Sequence, residues 1–397
     1  MHDTTLIATI AAGLAFAFIG GFIATRMGLP ALVGYLLAGV AVGPFTPGFV
    51  ADAGIAGQLA EIGVILLMFG VGMHFSVREL WQVRKIAVPG ALGQIAVATA
   101  LGAGLAWLWG WSFGAGLVLG LALSVASTVV LLRALEDQGT LDSPDGRIAV
   151  GWLLVEDLVT VLVLVLLPSL AGPLGGVAGE SAPGAILALT LAVGKVAAFV
   201  AVMLLLGVRV FPWLLNQVAR TKSRELFTLA AAAIALGVAF ASAELFGVSF
   251  ALGAFFAGVV VNQSDHSRRA ASDLQPLQDA FGVLFFVAVG MLFDPAILVR
   301  EPLRVLAVVA VVLLGKSAAA FLIVRVFGHS RETALSVSAA LAQIGEFSFI
   351  LAGLGLTLGL LPREGQSLIL AAALISMTLN PFVFRGARRL SQRRVLS

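Results

Sequence analysis

Apolar runs long enough to cross a bilayer recur along this chain. There are thirteen, at residues 5–25, 29–45, 55–74, 87–109, 113–134, 147–168, 186–212, 225–243, 247–262, 278–293, 303–326, 332–358 and 366–386. An α-helix crosses the hydrocarbon in about 20 residues, and in lipid a spanning segment must satisfy its own backbone hydrogen bonds. Composition agrees, with 60% of the 397 residues hydrophobic and 11% charged. Soluble domains carry roughly a quarter charged residues, so a soluble enzyme is excluded. The expected fold is an all-α polytopic membrane protein. Arg26 follows the first run and no basic segment precedes it, so that run reads as a span and not as a cleavable signal peptide.

Basic residues then orient the spans. With the N-terminus outside, 19 of the 24 Lys and Arg residues fall in cytoplasmic connections or the C-terminal tail, and Arg300, Arg304 and Arg363 fall outside. Lys195 and Lys316 lie within apolar runs. A miscounted helix would scramble that asymmetry, so an N-out, C-in arrangement with about 13 helices is expected. The sequence pI of 9.8 arises from these loop residues, and no nucleic-acid partner is implied. There is no cysteine, and the four histidines are scattered, so neither a thiolate nor a histidine metal site is expected.

The chain also repeats itself. GLPALVGYLLAGVAVG at 28–43 and GVSFALGAFFAGVVVN at 247–262 share Gly28, Gly34, Ala38, Gly39, Val40 and Val42 with Gly247, Gly253, Ala257, Gly258, Val259 and Val261. Val71-Gly72-Met73 matches Val289-Gly290-Met291, and ALSVAS at 122–127 resembles ALSVSA at 334–339. Each match shifts the count by seven spans, an odd number, so the second copy sits upside down. The expected units are a first six-helix repeat at 1–168, a linker helix and its loops at 169–224, a second repeat at 225–386 and a basic tail at 387–397. Inverted repeats of this kind build secondary transporters, with the binding site where the units meet.

Ionisable groups in the bilayer cost about 2.5–3.5 kcal/mol each and mark function. The sixth run places Glu156 and Asp157 side by side in WLLVEDLVTVLVLVLLP. Neighbouring helical residues point roughly 100° apart, so each acid faces a different surface. Lys316 in the eleventh run lies at similar depth and is the expected counter-charge for one of them; Lys195 sits closer to an outer surface. The fifth run carries Ser124, Ser127 and Thr128, and the twelfth carries Gln343 and Glu346. Those two runs are repeat-related, so paired helix breaks are expected there, although neither contains a proline at that point. Asn380-Pro381 takes in the second unit roughly the place of Glu156-Asp157 in the first.

GYLLAGVAVGP (34–44), ILLMFGVGMHF (65–75), VEDL (155–158), LGAFFAGVVV (252–261), FFVAVGM (285–291), Lys316 and LAQIGEFSFIL (341–351) follow one another in an order that is similar to a known family. The chain resembles the membrane domain of monovalent cation/proton antiporters of the CPA2 superfamily, in the branch of the glutathione-regulated (Kef-type) potassium efflux systems. The resemblance implies core and dimerisation subdomains, a homodimer, and transported K⁺ or Na⁺ and H⁺ with no covalent cofactor. It implies that Asp157 binds cation and proton alternately, that Lys316 is the membrane lysine, and that the segments near Ser127-Thr128 and Gln343 are crossed and unwound. Efflux members often carry Gln where this chain has Glu156, which leaves ion and stoichiometry open. Efflux members also carry a cytoplasmic nucleotide-binding regulatory domain after the last span; this sequence stops at Ser397, so such a partner domain either follows in a longer chain or is lacking. K⁺/H⁺ exchange in a bacterial inner membrane is the leading reading and Na⁺/H⁺ exchange the alternative. A channel, an organic-anion symporter and an intramembrane aspartyl protease are weaker. No TVGYG-type filter is present, and adjacent acids that point apart cannot form a protease dyad.

Overall fold

The computed structural model describes residues 5–47, 51–74, 77–136, 139–141, 143–177 and 185–392. The helices are α1 Thr5–Arg26, α2 Ala31–Val42, α3 Ala53–His74, α4 Val77–Leu108, α5 Phe113–Ser124, α6 Thr128–Glu136, α7 Pro144–Leu170, α8 Ala185–Val202 and α9 Val208–Arg220. They continue with α10 Arg224–Phe246, α11 Phe250–Asn262, α12 Ser267–Met291, α13 Ile297–Arg300, α14 Pro302–Ala310, α15 Ser317–Val326, α16 Arg331–Ala340, α17 Glu346–Thr357 and α18 Arg363–Gln392. Wider π-helical turns join α8 to α9 at Met203–Gly207 and α14 to α15 at Val311–Lys316. Among the described residues there is no strand. Nine described helices are long and apolar enough to cross a membrane, and four shorter apolar helices accompany them.

Every predicted apolar run falls on a helix or on consecutive helices. The largest boundary differences are at α4, which begins at Val77 instead of residue 87, and at α12, which begins at Ser267 instead of 278. Both helices extend through a mixed polar segment, VRELWQVRKI and SRRAASDLQP. Apolarity marks the hydrocarbon; it does not mark where a helix in the interface ends. The tail residues Arg393 and Arg394 lie outside the described residues.

Local chemistry sets many of the ends. The hydroxyls of Ser112, Ser143, Ser223, Ser249 and Ser330 cap α5, α7, α10, α11 and α16 by accepting from backbone N–H groups, which satisfies donors the first turn leaves free. Gly247 adopts a left-handed conformation with φ of 64°, stopping α10 two residues before the cap of α11.

The helices sort into two bundles, each drawing on both the N-terminal and the C-terminal half of the chain. In the first, α3 packs on α11 and α12, α2 on α1 and α12, and α10 on α11. In the second, α4 packs on α5, α7 and α15, while α18 contacts α14, α16 and α17. Glycine makes the first bundle tight. A side chain at Gly39 would overlap the Val287 carbonyl, and one at Gly290 the Leu36 carbonyl. Likewise, one at Gly72 would overlap the Phe255 carbonyl, and one at Gly258 the Phe69 carbonyl. These two crossings, α2 on α12 and α3 on α11, exchange under the repeat offsets read from the sequence. Between the bundles lies a cavity of about 950 Å³ lined by Phe45, Val64, Leu164, Phe285, Phe349 and Leu370, with Asp294, Arg300, Glu301 and Glu364 at its polar end.

Candidate functional site

The site begins with two helices that stop inside the second bundle. After α5 the chain runs extended from Val125, with φ −90° and ψ 132°, until α6 begins at Thr128. After α16 it turns and reaches Gly345, with φ −106° and ψ 176°, before α17. No proline forces either break. Instead, buried groups take over the hydrogen bonds that the missing turns would have made, and leaving one unmade would cost about 1–3 kcal/mol.

Each broken end has its partners. Gln94 Nε2 donates to the Ser124 carbonyl at 3.0 Å, and Ser348 Oγ to the Ala122 carbonyl at 2.6 Å. Ala126 N–H donates to Glu156 Oε2 at 2.9 Å. Asn380 Nδ2 donates to the Ala339 carbonyl at 2.9 Å, and Ile344 N–H to Ser376 Oγ at 3.2 Å. The two breaks also hold each other. Gln343 lies against Ser127 like a second strand: Ser127 N–H donates to Gln343 Oε1 at 2.9 Å and Gln343 Nε2 to the Ser127 carbonyl at 3.1 Å. Gly345 N–H donates to the Val125 carbonyl at 3.1 Å, and a side chain at Gly345 would overlap the Ala126 backbone. Only glycine permits that approach.

The acids of α7 point at this crossing. Glu156 takes the Ala126 N–H and lies 4.0 Å from Lys316 Nζ, with both side chains fully buried. Lys316, the last residue of the π-helical turn, also donates to the Gln343 carbonyl at 3.2 Å. Asp157, 2% exposed, accepts from Thr128 Oγ1 at 3.3 Å. Glu346 opens α17 and lies against the Ser127 hydroxyl and the Thr128 N–H, close enough for its charge to act on Asp157. One oxygen of each acid, Glu156 Oε1, Asp157 Oδ1 and Glu346 Oε2, is buried with no protein partner. The N-termini of α6 and α17 both face this cluster, and helix N-termini favour negative charge.

The seven site residues expected from the sequence therefore meet in one place. Lys195 does not join them; it is exposed on α8 near Gly247. Ser127 carries a second duty, since its Oγ accepts from Val130 N–H at 3.3 Å and caps α6. Asn380 supports the second break and does not mirror the acids chemically. Sequence reasoning passed over Gln94, Trp152, Ser348 and Ser376. Gln94 is a single polar residue in an apolar run, a signal too common to single out.

Chemically, the cluster offers carboxylate oxygens with a hydroxyl beside them, groups that can hold a proton or a cation. Thr128→Ala removes one neutral ligand and the Asp157 partner. About 1 kcal/mol for such a bond predicts a roughly fivefold rise in half-saturating cation concentration, read from exchange rates in proteoliposomes. An unchanged value would place the cation elsewhere.

Known proteins share sequence and fold with this chain. Residues 14–386 match the family model described as the transmembrane sodium/hydrogen exchanger. The chain is 60% identical over 384 residues to the putative cation/proton antiporter YbaL of Escherichia coli (strain K12), covering 96% of this chain and 68% of that protein. It is 33% identical over 385 residues to K(+) efflux antiporter 4 of Arabidopsis thaliana, covering 96% of this chain and 64% of that one. The fold matches the sodium proton antiporter MjNhaP1 from Methanocaldococcus jannaschii with a TM-score of 0.73 at 15% identity, over 98% of this chain and 99% of that one. The chain belongs to the sodium/hydrogen exchanger family and is a multi-pass membrane domain of the CPA2 cation/proton antiporter type.

Proposed function

We propose that this domain exchanges a monovalent cation, K⁺ in preference to Na⁺, for H⁺ by alternating access across the bacterial plasma membrane. The observation that carries the reading is Asp157, buried where two broken helices cross, with one free carboxylate oxygen and Glu346 beside it. A carboxylate can hold a cation or a proton but not both, and that competition couples the fluxes. K⁺ is preferred because relatives named K(+) efflux antiporters match across nearly the whole chain, whereas the sodium proton antiporter shares the fold at 15% identity.

Several features support the architecture expected from the sequence. The exchangeable glycine crossings support two inverted repeats, with α8 and α9 as linker. The cavity between the bundles ends near Asp294, Arg300 and Glu301, on the face the basic residues assign to the outside, and it stops short of Asp157. In this reading it is the outer part of a route that is closed before the acids. A homodimer and a cytoplasmic nucleotide-binding regulatory domain belong to the same proposal, on the family resemblance; the chain spans 68% and 64% of the lengths of the two named relatives.

Proteoliposomes loaded with a proton-sensitive dye and challenged with K⁺ or Na⁺ gradients test the reading; no cation-driven proton flux overturns it. The structure brings a third acid to the charge count. With Glu156, Asp157, Glu346 and Lys316 all ionised the cluster would carry −2, so a bound cation leaves it neutral only if one acid keeps a proton. Exchange of one cation for one proton changes only the occupant of Asp157 and is electroneutral. The reversal point is therefore expected to be independent of a clamped membrane voltage, and a voltage-dependent one would assign a second proton to Glu346 or to the Glu156–Lys316 pair.

A further inference from the structure

We infer that Gln94, outside both broken helices and outside the ion-binding cluster, is a positioning residue that sets the geometry of the cation site. This deepens the antiporter reading and rests on it. Gln94 is fully buried in α4, where an uncharged amide persists only if its donors and acceptor are used. Its orientation follows from its neighbours. Trp152 Nε1–H can only donate, and it points at Gln94 Oε1 at 3.3 Å, so the amide nitrogen must face the Ser124 carbonyl at 3.0 Å. One turn earlier on α4, a side chain at Gly90 would overlap the Trp152 ring. Gly90 and Gln94 thus form a slot and a hook on one face of α4.

Three elements meet at that hook. Ser124 is the last residue of α5, so holding its carbonyl fixes where the extended segment begins. Ser127 and Thr128, which touch Glu346 and Asp157, follow three and four residues later. Trp152 lies one turn before Glu156 on α7, so the same amide fixes the depth of the acid-bearing helix against the break. Remove it, and the Ser124 carbonyl loses its side-chain donor and the Trp152 N–H loses the Gln94 acceptor. The hydroxyl of Thr128 then loses one of the anchors that set its distance to Asp157.

The test measures half-saturating K⁺ concentration and maximal rate in proteoliposomes for wild type, Gln94→Leu, Trp152→Phe and the double variant. Hydrogen exchange of the backbone at residues 121–131 is followed in parallel. Gln94→Leu is expected to raise the half-saturating concentration about tenfold, the equivalent of about 1.4 kcal/mol, with a smaller change in maximal rate. Exchange at Ala126 and Ser127 should quicken, and adding Trp152→Phe should bring little further loss, because both act through one hydrogen-bonded unit. If Gln94→Leu fails to fold, Gln94→Met, which keeps the length of the side chain and loses only the amide, must show the affinity loss by itself. A well-folded Gln94→Leu or Trp152→Phe with wild-type affinity, or additive losses, overturns the assignment while the antiporter reading stands. A wild type that does not couple cation to proton flux overturns both.

Discussion

Asp157→Asn is expected to abolish proton-coupled cation exchange while leaving the protein folded and inserted. The amide keeps the shape of the carboxylate and can still meet Thr128 Oγ1, which lies 3.3 Å from the native oxygen. It cannot release a proton, and it offers a cation a dipole in place of a charge. Because Asp157 Oδ1 has no protein partner, no other group depends on it for a hydrogen bond, and stability should change little. Exchange with dye-monitored proton movement is the readout, alongside the thermal unfolding midpoint. Retained coupling in a folded variant would move the shared site to Glu346 or Glu156.

Lys316→Met carries the second large effect, and it falls on stability. Lys316 and Glu156 are both fully buried, 4.0 Å apart. Removing one member of such a pair strands the other charge, at a cost of about 3–5 kcal/mol. The Ala126 N–H alone would then face the Glu156 carboxylate. Lys316→Met is therefore expected to unfold at markedly lower temperature, and Lys316→Met/Glu156→Gln to recover most of the loss. The double variant also separates structure from coupling. If it is stable and still exchanges, the pair holds the fold only; if it is stable and silent, the pair takes part in transport. Equal stability of single and double variants would show that the two charges do not support each other.

Much of this was legible in the residues, and what was not has a physical reason. Bilayer thickness imposes a length on apolar runs, so helix positions could be read directly, whereas the polar starts of α4 and α12 could not. Helical geometry separated Glu156 from Asp157, and in the structure one meets Lys316 and the other Thr128. The similarity of residues 122–127 to 334–339 pointed to the two segments where the helices break. What keeps them open was hidden, because the partners come from α4, α17 and α18, distant in sequence. The π-helical turn before Lys316 was also invisible; it inserts a residue without changing the apolar pattern, and such turns recur at functional positions. Glu346 was named from the sequence, but its closeness to Asp157, and so the third negative charge, needed the crossing of the chains.

The glycine crossings of the first bundle have a mechanical consequence. Where α2 meets α12 and α3 meets α11, main chain rests on main chain. No side chain stands between them to change rotamer and absorb a displacement. That half of the molecule therefore behaves as a stiff chassis, with the compliance of close-packed backbone. The seam facing α7, α17 and α18 is a cavity of about 950 Å³ bordered by phenylalanine and leucine side chains, which can slide past one another without breaking a hydrogen bond. Under the alternating access proposed above, displacement is expected at that seam first, with the bundle that holds the acids travelling as a unit against its neighbour.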